Sequence, residues 1–372
     1  MNTDSIRSLR SPRWFPWAVL VLGGLPSLIV LLGCAGLVYE RSQESRDRRL
    51  NPAPGQLVDV GGYRMHLYCT GKGSPPVVLD SGLGDNLLVW RKTQPQIASF
   101  AYVCSYDRAG LGWSDPSPQP RNSAVMAQEL HTLLHKAGVP GPYVLVGHSL
   151  GGYNVRMYAS LYPTDVLGVV LVDSAHPDFT NRFSTEFRQH AMDSSRKLDR
   201  IGDMIPFGIP RLMGWCGEFP PEFRTTARAV ECRVSPFRER HEESAHFGED
   251  GEQVRAAGSL GNRPLVVVSR DPEKLWSELP TDVEKDFNQA NEAMQVELAG
   301  LSSASSRVIA KGSGHYIQIQ RPDVVTEAVH NVVDQGRAQN RTLATISLRD
   351  AQQKNSTTPD NGVSGNVISV HE

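Results

Sequence analysis

The chain has 372 residues, of which 40% are hydrophobic, enough for one large globular domain with an insertion or for two domains. Its 38 basic and 40 acidic side chains leave a formal charge of −2, which argues against a nucleic-acid surface. Five cysteines, at 34, 69, 104, 216 and 232, are too few and too scattered for a disulfide framework or a zinc site.

Residues 1–13 are basic, with Arg7, Arg10 and Arg13 preceding an uncharged stretch from Trp14 to Tyr39. As a helix, residues 14–39 would reach about 39 Å, more than the roughly 30 Å hydrocarbon core of a bilayer. Trp14, Trp17 and Tyr39 stand near its ends, where interfacial aromatics belong. The expectation is a single-pass membrane anchor, the rival being a cleaved signal peptide, whose apolar region is usually about 7–15 residues. Arg41, Arg46, Arg48 and Arg49 offset the three arginines before the segment, so the side of the membrane is left open. Residues 40–55 read as a linker.

From Gln56 onward, short apolar runs alternate with helical stretches. "QLVDVGGYRMHLYCTG" predicts a two-stranded hairpin about Gly61-Gly62. "PPVVLD", "FAYVCSYD", "PYVLVGHS", "VLGVVLVDS", "RPLVVVSRD" and "SRVIAKGSG" predict six more strands, apolar enough to be buried on both faces of a parallel sheet. Helices are expected at "SAVMAQELHTLLHKAG", "YNVRMYASLY", "VEKDFNQANEAMQVELAGLS" and "PDVVTEAVHNVVDQ". This alternation implies an α/β fold. It spans 56–176 and 263–336, interrupted by a helical, breaker-rich insertion at 177–262 that reads as a cap. Residues 337–372 are polar and read as a disordered tail. Cys216 and Cys232 are spaced to permit a bridge but are expected as buried thiols. Cys69 and Cys104 lie on strands expected to be neighbours, where export would let them oxidise.

The candidate chemistry centres on Gly147-His148-Ser149-Leu150-Gly151, between a strand and a helix. A nucleophile on such an elbow sits in a strained turn, and crowding two residues to either side favours Gly147 and Gly151. His148 is expected to pack. Serine needs a base, and His315 follows a late strand across the flexible Lys311–Gly314 turn. Three carboxylates are open as the orienting acid: Asp173, Asp271 and Glu273. An oxyanion hole requires two backbone N–H groups. They are assigned to Leu150 and to Leu83, in the turn that follows Ser81 and Gly82.

With "GHSLGG" and "GSGH", the run "SYDRAGLGWSDPSPQPR" resembles the α/β-hydrolase superfamily over about residues 56–335. The resemblance implies an eight-stranded, mostly parallel sheet under a helical cap, with Asp107 and Arg108 as structural supports of the active-site edge. It implies a serine hydrolase acting on a carboxylic ester or related acyl compound, through an acyl-enzyme and without metal or organic cofactor. Amide, thioester and perhydrolase chemistries, and a membrane-tethered sensing protein, are the alternatives. Epoxide hydrolases and haloalkane dehalogenases are similar overall but carry aspartate where Ser149 stands. The cap residues Phe179, Phe183, Met204, Ile205, Phe207, Leu212, Met213, Trp215 and Phe219 suggest a hydrophobic acyl chain.

Overall fold

The structure, a computed structural model, describes residues 24–216, 222–274 and 280–356, with side chains as far as residue 339. Its centre is one eight-stranded sheet in the order β1-β2-β4-β3-β5-β6-β7-β8. The strands are β1 (Gln56–Asp59), β2 (Arg64–Thr70), β3 (Val77–Asp80), β4 (Val103–Asp107), β5 (Tyr143–His148), β6 (Val166–Val172), β7 (Leu265–Arg270) and β8 (Ser305–Ala310). β1 pairs antiparallel with β2 and β2 antiparallel with β4, while all other pairs are parallel. Every strand predicted from an apolar run is present. β3, β5 and β7 are buried along their whole length, as expected of strands covered on both faces.

Alternate side chains of these strands feed two apolar layers. Leu145, Leu171 and Val267 join Met126, Leu130, Leu133 and Leu134 of helix Ser123–Lys136 on one face. Val144, Val146, Val170 and Val172 meet Val325, Val329, Val332 and Val333 of helix Pro322–Ser356 on the other. Full burial of each such side chain contributes about 1.5–3 kcal/mol, so the two layers dominate the stability of the sheet. Asn122 caps the first of these helices, its side chain accepting from the Val125 N–H at 3.0 Å.

Between β6 and β7 the chain is helical: Phe179–Arg182, Thr185–Met204, Ile209–Met213, Arg224–Glu231 and Val234–Ala257. Two boundaries and one cysteine pairing differ from the sequence expectations. The N-terminal helix runs Leu25–Leu50, through most of the expected linker, because Glu40 and Asp47 on it pair with Arg211 of the insertion. Residues 1–23, including Trp14 and Trp17, lie outside the described residues. The last helix continues to Ser356 where a disordered tail was expected, and only 357–372 of that tail lie outside the described residues. Finally, Cys216 and Cys232 form a disulfide rather than two thiols, their Cα atoms 5.2 Å apart. The helix ending at Glu231 returns the chain to residue 216, a tertiary contact that spacing alone does not reveal. Cys69 and Cys104, directly opposite each other in the β2–β4 register, are also bridged.

Candidate active site

β5 ends at His148, and Ser149 turns the chain into helix Leu150–Leu161 with φ 52° and ψ −119°. Among the described residues only Ser149 and Asp173 combine a side chain with positive φ. Such backbone costs on the order of 1–3 kcal/mol and persists where its surroundings over-determine it. Here the Ser149 N–H donates to the Val172 carbonyl at 3.2 Å, and the Ser149 carbonyl accepts from Gly152 and Ala175, both at 3.0 Å. The turn is tight enough that a Cβ at Gly151 would lie 2.5 Å from the Asp80 carbonyl oxygen, and one at Gly147 would overlap the Gly151 carbonyl. Both glycines are therefore steric requirements of the elbow.

β6 ends beside β5, and Asp173 follows it immediately, while His315 follows β8 across the Lys311–Gly314 turn. Two neighbouring crossovers thus bring residues 142 positions apart to one edge, where His315 Nδ1 lies 2.6 Å from Asp173 Oδ2. Asp173 also accepts from Arg270 Nε at 2.7 Å and from Asn291 Nδ2 at 3.2 Å. Burial pushes its carboxyl up, but the Arg270 guanidinium and His315 outweigh burial and hold it below the usual carboxylate range. An ionised Asp173 makes Nδ1 the protonated nitrogen of His315, leaving Nε2 free to accept. Arg270 Nη2, 3.0 Å from the same Nδ1, then acts as a nearby charge rather than as a donor to it. The Ser149 hydroxyl makes no hydrogen bond to a described residue.

Asp271 and Glu273 do not reach His315. Asp271 accepts from the Gly312 N–H at 2.7 Å and the Glu273 N–H at 3.1 Å, fastening the turn that carries His315. Glu273 is exposed and lies 3.5 Å from Lys311. His148 does more than pack. Its Nε2–H donates to the His315 carbonyl at 3.0 Å, and burial, reinforced by His315, pushes its pKa well down, so it stays neutral. No local sequence signal marks that contact, because its partner is 167 residues away.

The turn after β3 completes the site. The N–H groups of Leu83 and Leu150 have no acceptor among the described residues. Arg108 holds this turn from below, donating to the Ser81 carbonyl at 2.7 Å and the Gly82 carbonyl at 2.6 Å. It is itself held by Asp80 at 2.9 Å and by Glu243 at 2.6 Å. Glu243 belongs to helix Val234–Ala257 and also accepts from the Gly84 N–H at 2.8 Å, so the insertion is bolted to the turn. Asp107 accepts from the Leu87 and Trp113 N–H groups at 2.8 and 3.0 Å and pairs with His66. Ser81 Oγ accepts from the Trp90 indole at 3.0 Å. Nearby, burial raises Asp85 to about 6 and Glu231 to about 7.

The apolar residues of the insertion divide into two groups. Phe179, Phe183 and Phe187 pack with Phe287, whose ring lies under the Arg270 guanidinium at 5.0 Å, and so border the Asp173–His315 pair. Phe207 and Leu212 instead face the N-terminal helix, and Phe219 lies outside the described residues. His176, Asp178 and Glu297 converge closely enough to suggest a cation, but Arg182 and Arg255 already pair with the two carboxylates.

A profile described as alpha/beta hydrolase fold matches residues 75–200. "Probable transporter efuK" of Hormonema carpetanum is 26% identical over 78% of this chain and 44% of its own length. The "AB hydrolase superfamily protein" of Gibberella zeae is 25% identical over 70% of this chain and 86% of its own. The chain spans about half the length of the first curated relatives it matches. The haloalkane dehalogenase DbeA-M1 loop variant from Bradyrhizobium elkanii superposes with a TM-score of 0.59 at 19% identity, over 77% of this chain and 98% of that one.

Proposed function

We propose that this chain, whose fold is that of the α/β hydrolases, is a serine hydrolase that cleaves a carboxylic ester or related acyl bond. The observation that carries this reading is the strained Ser149 elbow on the same sheet edge as an Asp173–His315 pair at 2.6 Å. In this mechanism Ser149 Oγ attacks the acyl carbonyl carbon and His315 Nε2 takes its proton. The Leu83 and Leu150 N–H groups hold the oxyanion, and Asp173 steadies the imidazolium. His315 then protonates the leaving group, and an activated water releases the acyl group from Ser149. Dehalogenase or epoxide chemistry is disfavoured at the same position. Serine attack on an alkyl carbon would leave an ether, which water does not readily cleave, whereas an acyl-serine is hydrolysed.

The aromatic cluster about Phe183 and Phe287 supports an apolar acyl group. Helix Leu25–Leu50 is long and apolar enough to cross a membrane, and on this reading it anchors the hydrolase there. A fluorophosphonate probe tests the chemistry: wild type labels and folded Ser149→Ala does not. A folded wild type that stays unlabelled would instead favour a ligand-sensing protein.

A further inference from the structure

The insertion touches the N-terminal helix within that helix's apolar part as well as along its charged part. A Cβ at Gly36 would lie 2.5 Å from the Phe207 carbonyl oxygen, one at Gly33 would touch the Phe207 ring at 3.7 Å, and Tyr39 packs against Gly208. Gly33, Gly36 and Tyr39 recur at three-residue spacing and so lie along one face of the helix. The charged part of the helix begins at Glu40, which is buried and bound by Arg211 Nη2 at 2.8 Å, while Arg211 Nη1 reaches Asp47 at 2.5 Å. This clamp fixes the insertion at a defined height along the helix.

That height can be converted to a depth. Gly36 and Gly33 lie four and seven residues before Glu40, hence about 6 and 10 Å along the axis at about 1.5 Å per residue. Segments that lie in a membrane interface bury their apolar side about 5–10 Å into it. The segment at this depth is unusually apolar for a protein surface: Leu212 is 68% exposed, Met213 57% and Trp215 47%, with Phe207 and Ile209 also exposed. Its one charged side chain, Arg211, is turned inward to Glu40 and Asp47. Between segment and helix runs an apolar groove of about 830 Å³, and basic residues Arg41, Arg48 and Arg49 follow along the helix, charges of the kind that anionic lipid headgroups attract.

We propose that the stretch Phe207–Trp215 is a second membrane contact, seated in the interfacial layer of the bilayer beside the N-terminal helix, with lipid acyl chains filling the groove between them. The inference rests on the reading that the helix crosses a membrane. It makes the hydrolase a domain held at fixed height on the bilayer rather than one swinging on a tether, with its insertion in contact with lipid.

The test uses the full-length chain in phosphatidylcholine vesicles, with Cys34→Ser removing the free thiol and both disulfides intact. An environment-sensitive fluorophore is placed in turn at Leu212→Cys, Leu32→Cys and Ser303→Cys, and nitroxide-labelled lipids are added. The expected result is a blue shift and a quenching at position 212 as large as at position 32, with none at 303. Quenching at 32 without quenching at 212 overturns the proposal while the anchor stands. A shift at 212 that nitroxide lipids do not quench also overturns it, because a second copy or another part of the chain would then cover the surface. Absence of quenching at both positions removes the anchor and the proposal together.

Discussion

Replacing Asp173 with Asn separates the three carboxylates near His315 most sharply. Asp173 Oδ2 accepts from both Arg270 Nε and His315 Nδ1, while Oδ1 faces the Asn291 amide and, at 3.5 Å, the Arg270 N–H. Every neighbour is a donor. Asn must point its NH2 at one pair or the other, so it either meets Arg270 and forces His315 towards the tautomer protonated on Nε2, or it meets Asn291 and the Arg270 N–H. The tautomer change alone is worth about 10⁴ in rate, the loss known when the acid of a Ser-His-Asp triad is amidated. Breaking a buried ion pair on one side adds about 3–5 kcal/mol of lost stability, from an Arg270 charge left uncompensated. Asp271→Asn keeps an acceptor for only one of the Gly312 and Glu273 N–H groups, which bond to different oxygens. Its expected cost is about 1–3 kcal/mol of stability, with no change in the His315 tautomer. The assay is the rate of fluorophosphonate labelling together with hydrolysis of a short p-nitrophenyl ester, with thermal unfolding recorded for each variant. Asp173→Asn should label far more slowly while still folded, and Asp271→Asn close to wild type. A folded Asp173→Asn that reacts at the wild-type rate, or a larger loss in Asp271→Asn, would refute the reasoning.

Two further outcomes concern stability. Asp250 accepts from the Ser123 N–H at 2.6 Å, its other oxygen has no hydrogen-bond partner, and burial raises its pKa to about 7. A carboxyl whose folded pKa lies above its unfolded value contributes stability below the unfolded value and loses it as pH rises through the folded one. Between about pH 4 and 7 that loss approaches 1.4 kcal/mol per pH unit; Asp250→Asn should therefore flatten the Tm profile over this range and melt higher at pH 8, and an unchanged slope would contradict the assignment. The Cys69–Cys104 bridge closes a separation of 35 residues, for which chain entropy gives about 4 kcal/mol. Non-reducing urea denaturation of Cys69→Ala/Cys104→Ala should show a loss of that order, and an unchanged midpoint would mean that the two thiols are not joined.

What was legible in the sequence is local. Six apolar runs and one hairpin became eight strands. The edge strands β1 and β8 are largely exposed, but the central ones are buried on both faces, which demands continuous hydrophobicity, and Val77–Asp80 or Leu265–Arg270 need no distant information to declare it. The elbow was legible for the same reason: the clash that excludes a side chain at Gly147 involves Gly151, four residues away. His315 was singled out by its glycine-rich turn and its place after a late strand. What only the tertiary structure decided are meetings between distant segments. Asp173 and Asp271 each follow a parallel strand, and no spacing tells them apart. Adjacency of β6 to β5, the Arg270 guanidinium and the backbone N–H groups that occupy Asp271 bring the first to His315 and keep the second away. Glu243 under the oxyanion turn, His148 on the His315 carbonyl and Arg211 on Glu40 and Asp47 are of the same kind. Each is a polar partner reached through the path of an intervening chain, and hydrophobic periodicity carries no record of that path.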